Sequence, residues 1–220
     1  MQTVEIIHKH QDFIIIDKPC GISVHKDGEE MGFIQSLAAQ LSLPQLWLIH
    51  RLDKVTSGLL ILALNRNAAA ELSELFAARR IQKTYLALSA HKPKKKQGLI
   101  IGDMEKARRG AWKLCKTKDN PAVTRFFSYS CEPGLRLFVL YPQSGKTHQL
   151  RVAMKSLGSP ILGDALYGDH ENSDRTYLHA YALNFEYRGQ HFDIRCPPKC
   201  GHFFQRFSVL EALATALPQQ

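Results

Sequence analysis

The stretch from His50 to Gly58 contains the residue types best suited to chemistry. It reads His-Arg-Leu-Asp-Lys-Val-Thr-Ser-Gly and has apolar residues on both sides. Arg51 and Asp53 are two apart, so in an extended segment they point to one side and Leu52 points to the other. A neighbouring guanidinium favours the ionised form of a partly desolvated carboxylate. Such a carboxylate can act as a nucleophile or a general base. The same pair could also be a structural ion pair at a turn.

The longer string from His50 to Leu60 reads His-Arg-Leu-Asp-x-x-Thr-Ser-Gly-Leu-Leu, and several fixed residue types agree in it at once. It is similar to the signature of the RluA-type RNA pseudouridine synthases. The resemblance implies that Asp53 is the catalytic nucleophile of an isomerase that converts uridine in RNA to pseudouridine. The carboxylate is expected to attack the ribose, and other routes of attack within the family stay open.

Three further blocks resemble the motifs of this family and follow in the family's order. Asp17–His25 reads Asp-Lys-Pro-x-Gly-Ile-x-Val-His, a motif that supports the floor of the active site in the family. Lys83–Ala87 reads Lys-x-Tyr-x-Ala, and Tyr85 matches the tyrosine that stacks on the target uracil. Gly145–Arg151 reads Gly-Lys-Thr-His-Gln-Leu-Arg and resembles Gly-Arg-Thr-His-Gln-Ile-Arg. The last arginine of that motif pairs with the catalytic aspartate, and Arg151 stands in its place.

The block that ends at Arg151 is predicted to enter a helix, with Thr147 as its N-cap. Arg151 then lies in the first turns, where a cation gains nothing from the helix dipole, so we expect a specific partner for its guanidinium. Lys146 replaces the family's arginine. It keeps the charge but loses the bidentate geometry, which predicts a looser phosphate contact. Later stretches that also resemble the family are Pro160–Gly168 and Leu178–Ala180.

The resemblance also implies the roles of the remaining site residues. The residues expected to be catalytic are Asp53, Tyr85 and Arg151. Arg151 is expected to keep the Asp53 carboxylate ionised and oriented for attack. Residues expected to contact RNA are His50, Arg51, Lys94, Lys95, Lys96, Arg108, Arg109, Lys146 and His148. The isomerisation adds and removes no group overall, so neither a cofactor nor a metal is expected. The target base must first be extruded, at a cost of a few kcal/mol that a loop or single strand lowers.

Positive charge is concentrated in residues 92–118. The chain has a formal net charge of +9 and a pI of about 9.4. Residues 92–118 carry ten basic side chains and two acidic ones, Asp103 and Glu105, so the rest of the chain is nearly neutral. Such a basic segment is typical of nucleic-acid binding. The alternatives are a solubilising loop and a patch for anionic membranes, and the segment has no amphipathic apolar face to favour membranes.

Length and composition place the chain among ordinary globular proteins. Its 220 residues, 45% of them apolar, suffice for one sizeable core or for two lobes. No apolar run reaches the length of a membrane span, and the N-terminus lacks the pattern of a secretory signal. Five scattered cysteines indicate a reduced, cytoplasmic protein. We therefore expect a cytoplasmic monomer whose partner is RNA, a stem-loop of rRNA or tRNA, without membrane association.

The family resemblance, which extends from about residue 10 to about residue 205, implies the fold. That fold is of the α/β (α+β) class, with a mixed, mostly antiparallel central sheet, flanking helices and a central catalytic cleft. One catalytic domain is expected over residues 1–220, without the S4 RNA-binding domain of several relatives. Residue patterns predict strands at 12–17, 59–64, 83–88, 123–129, 135–140, 181–187 and 191–195, and helices at 33–41, 67–80, 147–157 and 203–217. Residues 92–118 are predicted to be a long hairpin or loop excursion.

Three other functions are compatible with parts of the sequence. A catalytically silent RNA-binding or remodelling protein could use the same fold, although it would not need Asp53, Tyr85 and Arg151 together. A hydrolase with Ser57 as nucleophile lacks the Gly-x-Ser-x-Gly context. A zinc site is suggested by Cys196, Cys200 and His202, but these are three ligands, where structural zinc takes four.

Overall fold

The computed structural model describes residues 4–24, 32–168 and 173–218, so His25 of the first motif lies outside it. Its strands and helices, in chain order, are β1 (Glu5–Lys9), β2 (Phe13–Lys18), α1 (Phe33–Gln40), β3 (Trp47–Leu48), β4 (Ser57–Ala63), α2 (Arg66–Ala77), β5 (Gln82–Ser89), β6 (Gln97–Gly102), β7 (Met104–Lys106), β8 (Trp112–Leu114), β9 (Ala122–Glu132), β10 (Leu135–Pro142), α3 (Gln149–Ser156), β11 (Leu178–Tyr187), β12 (Gln190–Arg195) and α4 (Phe207–Ala216). A 3-10 turn covers Arg108–Gly110. No helix in the described part of the chain is long and apolar enough to cross a membrane.

The chain divides into two compact units. The first comprises Met1–Gln82 and Ala180–Pro197, and the second comprises Lys83–His179 and Pro198–Gln220. The strands of the first unit lie in the order β1-β2-β4-β11, with β12 paired to β11 and β3 to β4. The pairs β1–β2, β2–β4, β3–β4 and β11–β12 are antiparallel. The expectation of one catalytic domain stays a prediction.

The core of the first unit follows from two apolar strands. Every residue of β4 is buried, and β2 contributes the buried run Phe-Ile-Ile-Ile. Helix α2 packs its apolar stripe, Ala68, Leu72 and Leu75, into the same cluster. Burial of this stripe, rather than intrinsic propensity, supplies most of the stability of a helix of this length. The observed strands β2 and β4 confirm the strands predicted at 12–17 and 59–64.

The second unit contains the strand order β5-β10-β9-β6, and all three pairings are antiparallel. The turn at Pro133 and Gly134 joins β9 to β10, which confirms the predicted pair, and α4 packs against both strands. The basic segment is divided between β6, which is a member of the sheet, and a separate β7–β8 hairpin. With mostly antiparallel strands and flanking helices, the fold is of the predicted α+β class.

Some predicted boundaries were wrong. Helix α2 is capped by Asn65 instead of Asn67: the Asn65 backbone is extended and its side chain accepts a 2.9 Å hydrogen bond from the Ala68 amide. Helix α4 begins at Phe207 instead of Phe203, because Arg206 is extended and interrupts the helix. Strand β1 was not predicted, since its sequence Glu-Ile-Ile-His-Lys lacks a clear alternation.

Candidate active site

Asp53 lies in the loop that enters the buried strand β4. Arg51 is exposed, Leu52 is 5% exposed and Asp53 is half-buried, which agrees with the predicted alternation. The carbonyl of Asp53 accepts a 3.0 Å hydrogen bond from the Thr56 amide, so residues 53–56 form a tight turn. The loop therefore holds a carboxylate at the border between the core and the solvent.

The turn of the first motif is bonded to the Asp53 loop. The Gly21 amide donates to the carbonyl of Lys54 at 2.8 Å, and the Cys20 thiol donates to the carbonyl of Val55 at 3.1 Å. Lys18 is completely buried, and its ammonium group donates to two carbonyls of the same turn, Pro19 and Ile22, at 2.8 Å each. The first motif thus supports the loop that carries the carboxylate, and its role at the floor of an active site stays a prediction.

His50 anchors the start of this loop. Its Nε2 accepts a 3.0 Å hydrogen bond from the Ile61 amide of β4, and its ring stacks on Phe76 of α2 at 4.2 Å. With Nε2 as the acceptor, a neutral ring carries its proton on Nδ1. The structure therefore gives His50 a packing role, and its predicted contact with RNA stays a prediction.

Gly58 is required by the approach of a neighbouring strand. Its φ is +106°, and a Cβ at this position would lie 2.3 Å from the carbonyl oxygen of Ala180 in β11. A side chain would therefore collide with backbone that has no room to move. Ser57, the nucleophile of the hydrolase alternative, is buried in β4, which disfavours that alternative.

Tyr85 lies on β5 in the second unit. It is half-buried and pairs in register with Leu140 of β10, while Leu86 and Ala87 after it are completely buried. The predicted strand is confirmed. Tyr85 thus presents part of its ring at the border of a rigid sheet.

Helix α3 begins later than predicted. Its N-cap is His148, in the left-handed conformation with φ of 56°, and Thr147 precedes it. Gln149 closes the turn before the helix: its side-chain oxygen accepts from the Lys146 amide at 3.0 Å and from the Ser144 hydroxyl at 2.8 Å. The buried Gln149 side chain therefore hydrogen-bonds the polar groups before the helix, a role that was expected of a Thr147 cap.

Arg151 has the specific partner that its position predicted. Its Nε and Nη2 donate to the two carboxylate oxygens of Asp164, each at 2.8 Å. Arg151 is 6% exposed and Asp164 is completely buried. A bidentate pair of this kind fixes a guanidinium in both position and plane. The pairing of Arg151 with Asp53 that the resemblance implies stays a prediction.

Tyr167 joins several parts of this region. The guanidinium carbon of Arg151 lies 5.0 Å from the centre of its ring. Its hydroxyl lies 2.8 Å from Nδ1 of His148 and accepts a 2.8 Å hydrogen bond from the Trp112 amide. Neither Asp164 nor Tyr167 was predicted from the sequence to have a role of its own. The signal that could have found them is the Gly-Asp-x-x-Tyr stretch after the helix, where both residues lie within the resemblance to the family.

Apart from Arg51, which lies on the Asp53 loop of the first unit, the lysines and arginines predicted to bind RNA lie on separate loops of the second unit. Arg108 and Arg109 lie at the exposed tip of the β7–β8 hairpin, where Arg109 has φ of 57°. Three exposed lysines, Lys94, Lys95 and Lys96, precede β6. Lys146 is half-buried before α3. The structure therefore distributes these charges over three segments.

The two acids of the basic segment are engaged within it. A hydrogen bond from Thr117, with amide hydrogen bonds from Asp119 and Asn120, lowers the pKa of Asp103. Glu105 forms an exposed ion pair with Lys113 at 3.2 Å. The ionised Asp103 thereby fixes the base of the hairpin.

The residues of the suggested zinc site have other surroundings. Cys196 is buried at the end of β12, and Cys200 is exposed. The His202 ring forms an ion-pair contact with Asp174 at 3.2 Å and packs on Phe203 at 4.2 Å. These contacts give His202 a local structural role.

Comparison with known proteins identifies the family of this chain. Residues 12–156 match the family model described as RNA pseudouridylate synthase. Over 215 residues the chain is 64% identical to an uncharacterized RNA pseudouridine synthase of Haemophilus influenzae, covering 97% of this chain and 96% of that protein. It is 34% identical over 186 residues to the dual-specificity RNA pseudouridine synthase RluA of Escherichia coli, covering 81% and 84% of the two chains. The structure of human RNA pseudouridylate synthase domain containing 1 has the same fold, with a TM-score of 0.76, 23% identity and coverage of 99% and 97%.

Proposed function

Because the chain belongs to the RNA pseudouridylate synthase family, we propose that it converts specific uridines of ribosomal or transfer RNA to pseudouridine with Asp53 as the nucleophile. The enzyme is an isomerase that acts on RNA. Its reaction breaks the bond from uracil N1 to ribose C1′ and forms one from uracil C5 to C1′. The proton at C5 is lost and N1 gains a proton, so the atoms and electrons balance without an oxidant or a reductant.

The loop around Asp53 is the observation that carries this proposal. The family motif places a half-buried carboxylate there, and hydrogen bonds from Gly21 and Cys20 hold the loop backbone. A nucleophile that is held on a rigid element does not have to be ordered during the reaction. These contacts support Asp53 as the reacting group.

We assign the other two catalytic roles from the resemblance. Tyr85 stacks on the extruded uracil, and its position on a fixed strand supports this role. Arg151 maintains the ionised carboxylate of the nucleophile. The bidentate pair with Asp164 supports this role, because it fixes the guanidinium before RNA binds.

The substrate and setting belong to the same proposal. We propose a stem-loop of rRNA or tRNA as the substrate, and the description of the relative RluA of Escherichia coli as a dual-specificity RNA pseudouridine synthase is compatible with either RNA. The exposed arginines of the hairpin tip and the three lysines before β6 are suited to phosphate contacts. We also propose one catalytic domain, since the family match spans parts of both units. A cytoplasmic monomer completes the proposal, and none of the five cysteines, all of which the structure describes, forms a disulfide, which is compatible with a reducing compartment.

Pseudouridine mapping of total RNA tests the proposal. RNA is compared from cells that carry the gene, cells that lack it, and deletion cells rescued with either the wild type or Asp53→Asn. We expect at least one site to disappear on deletion and to return only with the wild type. That site would identify the substrate RNA and the reaction together.

Two other results would overturn parts of the proposal. A site that returns with Asp53→Asn would refute the nucleophile assignment. Unchanged pseudouridine, in a strain that also lacks sister synthases and with a purified protein that still binds RNA, would favour the catalytically silent RNA-binding protein.

A further inference from the structure

Tyr167 occupies a buried position between a basic hairpin and the helix that carries Arg151. It is 5% exposed, so its hydroxyl needs partners within the protein. The partners are the Trp112 amide and the His148 ring, each at 2.8 Å. One partner belongs to the strand that returns from the hairpin tip, and the other is the N-cap of α3.

The first contact connects the hydroxyl to the surface expected to meet RNA. Trp112 begins β8, directly after the tip that exposes Arg108 and Arg109. The tip itself is a tight turn, in which the Ala111 amide donates to the carbonyl of Arg108 at 3.2 Å. A displacement of the tip is therefore transmitted along a few backbone bonds to the hydrogen bond with Tyr167.

The second set of contacts connects Tyr167 to Arg151. The ring lies under the guanidinium at 5.0 Å, a distance at which the π-face of an aromatic ring attracts a cation. One carboxylate oxygen of Asp164 accepts from Arg151 at 2.8 Å and from the Tyr167 amide at 3.3 Å. Tyr167 thus contacts one face of the Arg151 guanidinium with its ring and holds Asp164, the partner of that guanidinium, with its backbone amide.

We propose that Tyr167 is a positioning residue that couples contact of RNA with the β7–β8 hairpin to the placement of Arg151. This inference rests on the proposed catalytic role of Arg151. The hydroxyl is the coupling group: it accepts a hydrogen bond from the hairpin strand and forms a second one with Nδ1 of His148 at the start of α3. An RNA whose phosphates contact the hairpin tip strengthens the two hydrogen bonds of the Tyr167 hydroxyl. These bonds in turn favour the position in which Arg151 can act on the nucleophile.

The variant Tyr167→Phe tests the hydroxyl alone, because it retains the buried ring under Arg151. Enzyme in excess over total RNA from the deletion strain is used to measure two quantities at the mapped site. These are the rate of pseudouridine formation at saturating enzyme and the enzyme concentration that gives half of that rate. We expect the saturating rate to fall about tenfold and the half-saturating concentration to change less than about threefold.

A double-mutant cycle separates coupling from a structural defect. Replacing Arg108 and Arg109 with Gln should lower the saturating rate of the wild type. The same replacement in Tyr167→Phe should cause no further loss. A matched control is Tyr177→Phe, which removes another buried tyrosine hydroxyl of the same unit. That hydroxyl donates a hydrogen bond to Asp174 and accepts one from the Phe203 amide. The control should leave the saturating rate unchanged.

Additive losses in the cycle, or equal effects of Tyr167→Phe and Tyr177→Phe, would overturn the inference. Arg151→Lys is measured in the same assay to keep the two proposals apart. If Arg151→Lys reacts at the wild-type rate, the catalytic role of Arg151 fails and the inference fails with it. If wild-type enzyme forms no pseudouridine, the proposed function itself fails.

Discussion

Arg151 and Asp164 form two parallel hydrogen bonds of 2.8 Å in a part of the second unit that is almost completely shielded from solvent. The carboxylate also accepts hydrogen bonds from the amides of Leu166 and Tyr167. The pair therefore joins α3 to the loop that follows it. Removal of either group is therefore costly, because neither has ready access to water.

Asp164→Asn is expected to lower the free energy of unfolding by about 3–5 kcal/mol, because it removes the buried carboxylate that accepts two hydrogen bonds from the Arg151 guanidinium. Urea unfolding measures the loss. The double variant Arg151→Met/Asp164→Asn should recover part of it, since the buried guanidinium that needs the carboxylate is removed as well. Asp193→Asn, which removes an exposed partner of Arg195, is the control and should cost less than about 1 kcal/mol. A loss for Asp164→Asn as small as that of the control would contradict the prediction.

Asp53→Asn is expected to bind RNA with an affinity within about threefold of the wild type and to lose turnover by at least about a thousandfold. The amide keeps the size of the side chain but is a poor nucleophile. Filter binding and single-turnover assays on the mapped RNA measure the two quantities. Residual activity within about tenfold of the wild type would exclude a nucleophilic role.

Tyr85→Phe should retain affinity for RNA, because the ring that is proposed to stack on the base remains. Tyr85→Ala should lose about 1–3 kcal/mol of binding free energy if a base stacks there. If the hydroxyl assists proton transfer at uracil C5, Tyr85→Phe should also react more slowly. Tyr141→Phe, another half-buried tyrosine of the same unit, is a suitable control. Equal RNA affinity of Tyr85→Ala and the wild type would refute the stacking role.

Gly58→Ala should destabilise the protein by more than about 3 kcal/mol, because the new methyl group would collide with the carbonyl of Ala180 at a positive φ. Gly134→Ala is the matched control. Its φ is +74°, yet no atom lies within 4 Å of the added Cβ, so the loss should be about 1 kcal/mol. Thermal unfolding of the two variants gives the comparison. Similar losses would mean that backbone conformation, rather than the approach of β11, selects this glycine.

Neutralising Lys94, Lys95 and Lys96 with Gln should weaken RNA binding and flatten its dependence on salt. For a single-stranded RNA, the slope of log K against log salt should become shallower by about 0.7 for every phosphate that these lysines no longer neutralise. The control variant neutralises three exposed arginines of the first unit instead, Arg66, Arg79 and Arg80. If both triple variants change the slope equally, the effect reflects net charge and not a local interaction.

Much of the fold was predictable because apolar patterns and turn residues agree. The buried strand β4 and the β9–β10 pair around Pro133 and Gly134 are examples. Cap positions were less predictable: Asn65 and Asn67 are both good caps, and only the backbone conformation selects the first. The start of α3 was misplaced because the turn before it is closed by the side chain of Gln149, which lies within the helix.

The candidate site was predictable where a motif is local. Asp53, Arg51 and Leu52 follow one another in the chain, so their alternation could be read directly. The link from Arg151 to Asp164 and Tyr167 could not be read in this way. It depends on how the loop after α3 folds back on the helix, an arrangement of residues that no periodicity relates.

The hydrogen bonds between the Gly21 turn and the Asp53 loop have a consequence for substrate recognition. Two loop carbonyls, those of Lys54 and Val55, are already occupied by the protein before RNA arrives. Binding then incurs little loss of conformational entropy at this loop, so the free energy of RNA binding remains available for extruding the base. Under the proposed function, the ease with which each RNA extrudes its uridine should therefore contribute to discrimination between RNAs, because the Asp53 loop is already ordered.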